Sequence, residues 1–137
     1  MKKTQIQYLE QEMIIEDSNC IFSLQYDIIA YIQYQKPYII IRLFSGKEHF
    51  IYHSLSHFAN HLPLAFLACN QSFIVNLLYI QLIKKEDAKL LIFTKDGKKI
   101  YVSRRNHKVI QERYYQIKNT SLKCDKCVFC NHHNFNK

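Results

Sequence analysis

Two apolar runs, Phe66-Leu67-Ala68-Cys69 and Phe73-Ile74-Val75, are separated by the polar tripeptide Asn70-Gln71-Ser72. Short amide and hydroxyl side chains between strand-like runs mark a tight turn. The same groups donate to and accept from nucleotide base edges and phosphate oxygens. Further along stands Val102-Ser103-Arg104-Arg105. A guanidinium can bond bidentately to guanine, and an Asn or Gln amide to adenine, each pair contributing roughly 1–3 kcal/mol of discrimination. On this chemistry Asn70, Gln71 and Arg105 suit base edges. Ser72, Ser103, Arg104 and Lys108 suit phosphate oxygens, which set register and carry no sequence information. Taken singly, Gln71 also fits an exposed turn residue and Arg104 a solvated surface charge, and chemistry alone favours those blander readings.

The charge balance points the same way. Nineteen Lys and Arg stand against eleven Asp and Glu, a formal net charge of +8. From Lys98 to Lys126 the basic residues outnumber the acidic ones nine to two, with Arg104-Arg105 among them. A one-sided cluster of this kind suits phosphate contact, although on charge alone a merely solvated surface fits nearly as well. No apolar stretch approaches the ~20 residues needed to span a bilayer, so no membrane insertion is expected. Met1-Lys2-Lys3 starts basic but is not followed by the apolar core of a signal peptide, and a cytoplasmic location is expected. The sequence shows no Gly-rich phosphate loop, Gly-x-Ser-x-Gly elbow or paired-carboxylate signature, so it does not read as an enzyme.

The elements that must position these residues are mostly strands. Residues 1–19 are polar around Met13-Ile14-Ile15 and fit either a loose leader or a first edge strand. Cys20 to Leu24 is strand-like, and Gln25-Tyr26-Asp27 reads as a turn. Ile28 to Tyr34 and Tyr38 to Phe44, β-branched and aromatic, flank Gln35-Lys36-Pro37 as a hairpin. Tyr34 and Tyr38 beside that turn read as sheet surface and not as stacking platforms. Ser45-Gly46-Lys47 leads into a strand over 48–52. The spacing of Leu55, Phe58, Ala59 and Leu62 predicts a helix from Ser54 to Leu62, ended by Pro63. His53, His57 and His61 fall on its other face; they have metal-ligand spacing, but without neighbouring carboxylates or thiols a solvated face is the better reading. Leu77 to Ile83 reads as a buried strand, Lys84 to Asp87 as a charged turn, and Ala88 to Thr94 as a strand. The Asp96-Gly97 signal marks a hairpin, and Ser103 is placed to cap a last helix ending near Ile117. Asn76, closing an apolar run, reads as a structural side chain satisfying backbone groups. Cys20 and Cys69 read as buried strand thiols.

Several of these positions, taken in order, resemble the LytTR family of bacterial DNA-binding domains. Ile28-Ile29-Ala30-Tyr31-Ile32 looks like the family's opening strand, and Ser54-Leu55 with Leu62 like its helix. Phe66, Ser72, Val75-Asn76 and Ile80 match its central motif; Asp96-Gly97 followed by Val102-Ser103-Arg104-Arg105 matches its closing one. The resemblance spans about residues 20–112. It implies a mainly β module of about ten short strands in small antiparallel sheets, with one mid-chain helix and one C-terminal helix. It also implies a transcriptional regulator that places loops into successive major grooves of double-stranded DNA. Carried onto this chain, Gln35 and Lys36 form one contact loop, Asn70, Gln71 and Ser72 a second, and Arg105 a third. The family often has His-Arg or His-Asn where Asn70-Gln71 stand, so base preferences should differ. Weak homodimerisation on repeated DNA sites is a further expectation of the resemblance. The residues ahead of the module are too few for the receiver domain that many members carry, so a stand-alone regulator is expected, controlled by a protein partner, a ligand, the tail or expression level.

The domain therefore runs from 20 to 117, with a leader over 1–19 and a tail over 118–137. In the tail, Cys124, Cys127, Cys130 and His133 stand three apart, a spacing that can converge on one zinc ion as a Cys3His set. Four ligands in so short a span leave little chain to wrap the ion, so an inert tail is slightly the better reading; no other cofactor is expected. Two alternatives follow: a metal- or redox-responsive regulator gated by this tail, and an aromatic-rich sheet binding single-stranded nucleic acid.

Overall fold

A computed structural model describes residues 4–121, in which three small antiparallel sheets share one core. The first is built from β1 (Gln5–Tyr8), β2 (Glu12–Glu16) and β3 (Ile21–Gln25), in that order. Successive strand residues face opposite ways, and in β2 this turns Met13 and Ile15 fully inward. After a 3-10 turn at Tyr26–Ile28 come β4 (Ile29–Gln35), β5 (Tyr38–Leu43) and β6 (Glu48–Ile51). A short helix, α1 (Leu55–Ala59), precedes β7 (Phe66–Ala68) and β8 (Phe73–Asn76). These five strands form the central sheet in the order β6-β5-β4-β8-β7. The third sheet joins β9 (Ile80–Glu86), β10 (Lys89–Thr94) and β11 (Lys99–Tyr101), with β10 in the middle. A second helix, α2 (His107–Ser121), closes the fold by burying Ile110 and Ile117.

The mainly β architecture is the one the β-branched runs and the family resemblance imply, with eleven strands among the described residues where about ten were expected. The β4–β5 hairpin forms around Gln35-Lys36-Pro37, with Gln35 paired to Tyr38. The Asp96-Gly97 turn joins β10 to β11, and Gly97 takes a positive φ of 89° that a side chain would strain.

Several local expectations give way. The mid-chain helix spans Leu55–Ala59 and not Ser54–Leu62; Phe58 and Leu62 are buried as the stripe predicts, but Ala59 is exposed. Its histidines are only in part a solvated face: His61 is exposed, while His53 and His57 are half-buried. Tyr8 of β1 hydrogen-bonds His57 Nδ1 at 2.9 Å and stacks on His61 at 4.7 Å, while the His53 and His57 rings lie 4.3 Å apart. Among the described residues, no three His, Cys, Asp or Glu side chains converge as a metal ion requires.

Leu77 to Ile83 is not one buried strand. Asn76 Oδ1 accepts from the Leu78 N–H at 2.9 Å and bends the chain into a 3-10 turn at Leu77–Tyr79. The following strand β9 is largely exposed. Lys84 to Glu86 belong to that strand, with Lys84 ion-paired to Glu86 at 3.2 Å, so the turn is confined to Asp87 and Ala88. Ser103 stands ahead of a 3-10 turn at Arg104–Asn106, and its side chain makes no capping bond. Cys69 is buried, whereas Cys20 is exposed ahead of β3. The tail ligands Cys124, Cys127, Cys130 and His133 lie outside the described residues.

Candidate nucleic-acid interface

The polar turn between β7 and β8 is closed by the Cys69 N–H donating to the Phe73 carbonyl at 2.9 Å. Asn70 Oδ1 accepts from the Ser72 N–H at 2.7 Å, an Asx turn formed by the side chain itself. The Asn70 amide donates in the other direction, to the Tyr101 carbonyl at the end of β11. Two further bonds fasten the same joint. Ser103 N–H donates to the Cys69 carbonyl at 2.8 Å, and Asn106 Nδ2 donates to that carbonyl at 3.1 Å. The polar turn and the basic corner, distant in sequence, are therefore one unit.

Between them lies a shallow hollow, lined by Asn70, Gln71 and Ser72 on one side and by Lys99, Tyr101, Ser103, Arg104 and Arg105 on the other. Gln71, Arg104 and Arg105 are exposed. The ion pairs seen are Arg42 with Glu48 and Asp96, and Lys84 with Glu86, so among the described residues neither arginine has a carboxylate partner. Unpaired guanidinium groups on an exposed rim suit an anion or a base edge.

The β4–β5 turn adjoins this unit, because the Tyr34 N–H donates to the Ser72 carbonyl at 2.8 Å. Its two candidates face different ways. Lys36 shares a second hollow with Gln71, Tyr34, Pro37 and the start of α1. Gln35 lines a third hollow with Gln33, Arg42 and Lys98. Gln71 thus stands on the rim between Lys36 and Arg105, while Gln35 is separated from it. Lys108 is exposed in the first turn of α2, about one helical turn beyond Arg104.

Two of these polar residues bond within the protein. Asn70, a candidate base contact, has a donor and an acceptor of its amide committed within the protein. These two bonds hold the turn that carries Gln71 and Ser72. Arg113, one of the clustered cations, donates Nη1 to the Leu64 carbonyl at 2.9 Å, and burial pulls its pKa below the usual arginine value. It is a strut between α2 and the segment before β7. Burial also pushes the Cys69 thiol up to about 12, as expected of a packing side chain under the joint.

Lys98, Lys99 and Tyr101 lie beside these residues, although their types and spacing single out no contact for any of them. The available signal was their place in the return strand just before Val102-Ser103-Arg104-Arg105.

The sequence model of the LytTr DNA-binding domain matches residues 19–114. A solved LytTr DNA-binding domain from Bacillus cereus shares the fold, with a TM-score of 0.64 at 18% identity over 76% of this chain and 96% of that one. No curated protein matches the chain.

Proposed function

The chain belongs to the LytTr DNA-binding domain family, and from that premise we propose that it regulates transcription by reading duplex DNA sequence-specifically, through loops set into the major groove. The observation that carries this reading is the joint at Cys69, whose carbonyl takes bonds from both Ser103 and Asn106. That joint holds Gln71 and Arg105 on one exposed rim, where one can address adenine and the other guanine. Preorganisation of this kind lowers the ordering cost of binding.

Loops are the projecting elements here. The helix α1 has five residues and sends Phe58 into the core, so it cannot serve as a recognition helix. The helix α2 is held by Ile110, Ile117 and Arg113. Arg105 and Gln71 are the base readers, Lys36 approaches from the neighbouring hollow, and Gln35 serves a separate part of the footprint. Ser72, Ser103, Arg104 and Lys108 meet phosphates, while Asn70 positions the turn.

The test is competition in fluorescence anisotropy between a duplex selected from a random library, its scrambled version and its single strand. Preference for the selected duplex over both competitors is expected. Equal binding to duplex and single strand would replace this reading with general single-strand binding through exposed aromatic groups.

A further inference from the structure

Between the hollow that holds Gln35 and the one that holds Gln71 and Arg105 runs the start of β11. Lys98 lines the first hollow and Lys99 the second, as expected of neighbouring residues whose side chains leave an extended backbone on opposite sides. We propose that the entry to β11 is itself a DNA-contact element: Lys98 and Lys99 clamp phosphates on the two sides of a ridge that separates the candidate base readers. This rests on the reading of the chain as a duplex-DNA reader and extends its footprint.

The ridge is held rigidly. The Lys98 N–H donates to Thr94 Oγ1 at 2.9 Å, and Thr94, only 2% exposed, also bonds the Asp96 carboxylate. Asp96 is in turn ion-paired to Arg42 of β5 at 3.3 Å, which ties the β10–β11 turn to the central sheet. Arg42 is engaged by both Glu48 and Asp96, so it is already neutralised.

Lys98 is different. Among the described residues it has no carboxylate partner, and its ammonium sits 5.5 Å above the ring of Phe73. Phe73 directly follows Ser72 and pairs with Gln33 across β4 and β8. A cation resting on an aromatic face is oriented without being neutralised and keeps its hydrogen-bond donors available. Lys99 is exposed in the hollow that also contains Arg104 and Arg105. Among the described residues the two lysines therefore present ammonium groups with no direct carboxylate contact on either side of one fixed strand.

The experiment measures the salt dependence of affinity for the library-selected duplex with wild type, Lys98→Gln, Lys99→Gln and the double variant. Lys47→Gln is the charge control, because Lys47 lies in the β5–β6 turn, at the opposite end of β5 from Lys36. Each neutralised phosphate contributes about 0.9 to the slope of log affinity against log salt. Each single variant is expected to lose about that much and the double about twice as much, with the preferred sequence unchanged and Lys47→Gln keeping the wild-type slope. Thermal melting of every variant checks that the fold is intact. Folded variants that keep the wild-type slope, or lose no more than Lys47→Gln, overturn the inference and leave the duplex-reading function standing. Failure of wild type to bind any duplex overturns both.

Discussion

Asn70 donates its side-chain amide to the carbonyl of Tyr101, thirty-one residues further along the chain, and accepts from the Ser72 N–H with its oxygen. One side chain thus both shapes the polar turn and fastens it to the strand leading to Arg105. Asn70→Ala should lower stability by about 1 kcal/mol, the usual net loss for such bonds. It should weaken binding to the selected duplex without blurring any single base pair. Wild-type stability with one blurred position would instead make Asn70 a direct base reader.

Gln71 makes the opposite case, being exposed on the rim of both hollows. Gln71→Ala should leave denaturant stability within about 0.5 kcal/mol of wild type. It should relax preference at one base pair by roughly 1–3 kcal/mol, read by competition among single-substitution duplexes. Uniform weakening across all duplexes would demote it to a backbone contact.

Asn76 is completely buried, with Nδ2 on the Ile29 carbonyl and Oδ1 on the Leu78 N–H, both at 2.9 Å. Removing it strands a donor and an acceptor away from water, at about 1–3 kcal/mol for each group. Asn76→Ala should therefore be among the more destabilising substitutions in urea unfolding, while the folded fraction keeps the wild-type DNA preference.

Cys69 gives a prediction in pH. Its thiol is raised from 9.0 to about 12 by burial. The unfolded chain ionises first, so the stability from the neutral buried thiol is complete below about pH 9 and is lost as pH rises toward 12. At pH 8, alkylation followed by peptide-resolved mass spectrometry should modify exposed Cys20 readily and Cys69 only as fast as the protein opens. Comparable rates at the two sites would contradict the buried joint.

The sequence was most legible where local pattern determines structure. The β4–β5 hairpin follows from β-branched runs around Gln35-Lys36-Pro37, and the Asp96-Gly97 turn from residue chemistry alone. Asn76 was readable as a structural side chain, but its bend displaced the strand expected over Leu77 to Ile83 into a 3-10 turn and a later strand. Long-range partners were not legible. Nothing near His57 announces Tyr8, forty-nine residues away, as its ring partner. Likewise nothing near Asn70 announces the Tyr101 carbonyl, thirty-one residues away, as a partner of its amide.

Arg105, on the same rim as Gln71, is the residue proposed to read a base. The most direct measurement selects a random duplex library at one moderate salt concentration with wild type and with Arg105→Ala, then sequences the bound fraction. An enriched motif for wild type that blurs at a single base pair in the variant is the predicted result. Salt-sensitive binding with no enriched motif in either protein would rule out base reading by Arg105, leaving the basic rim as a non-specific clamp on the phosphate backbone.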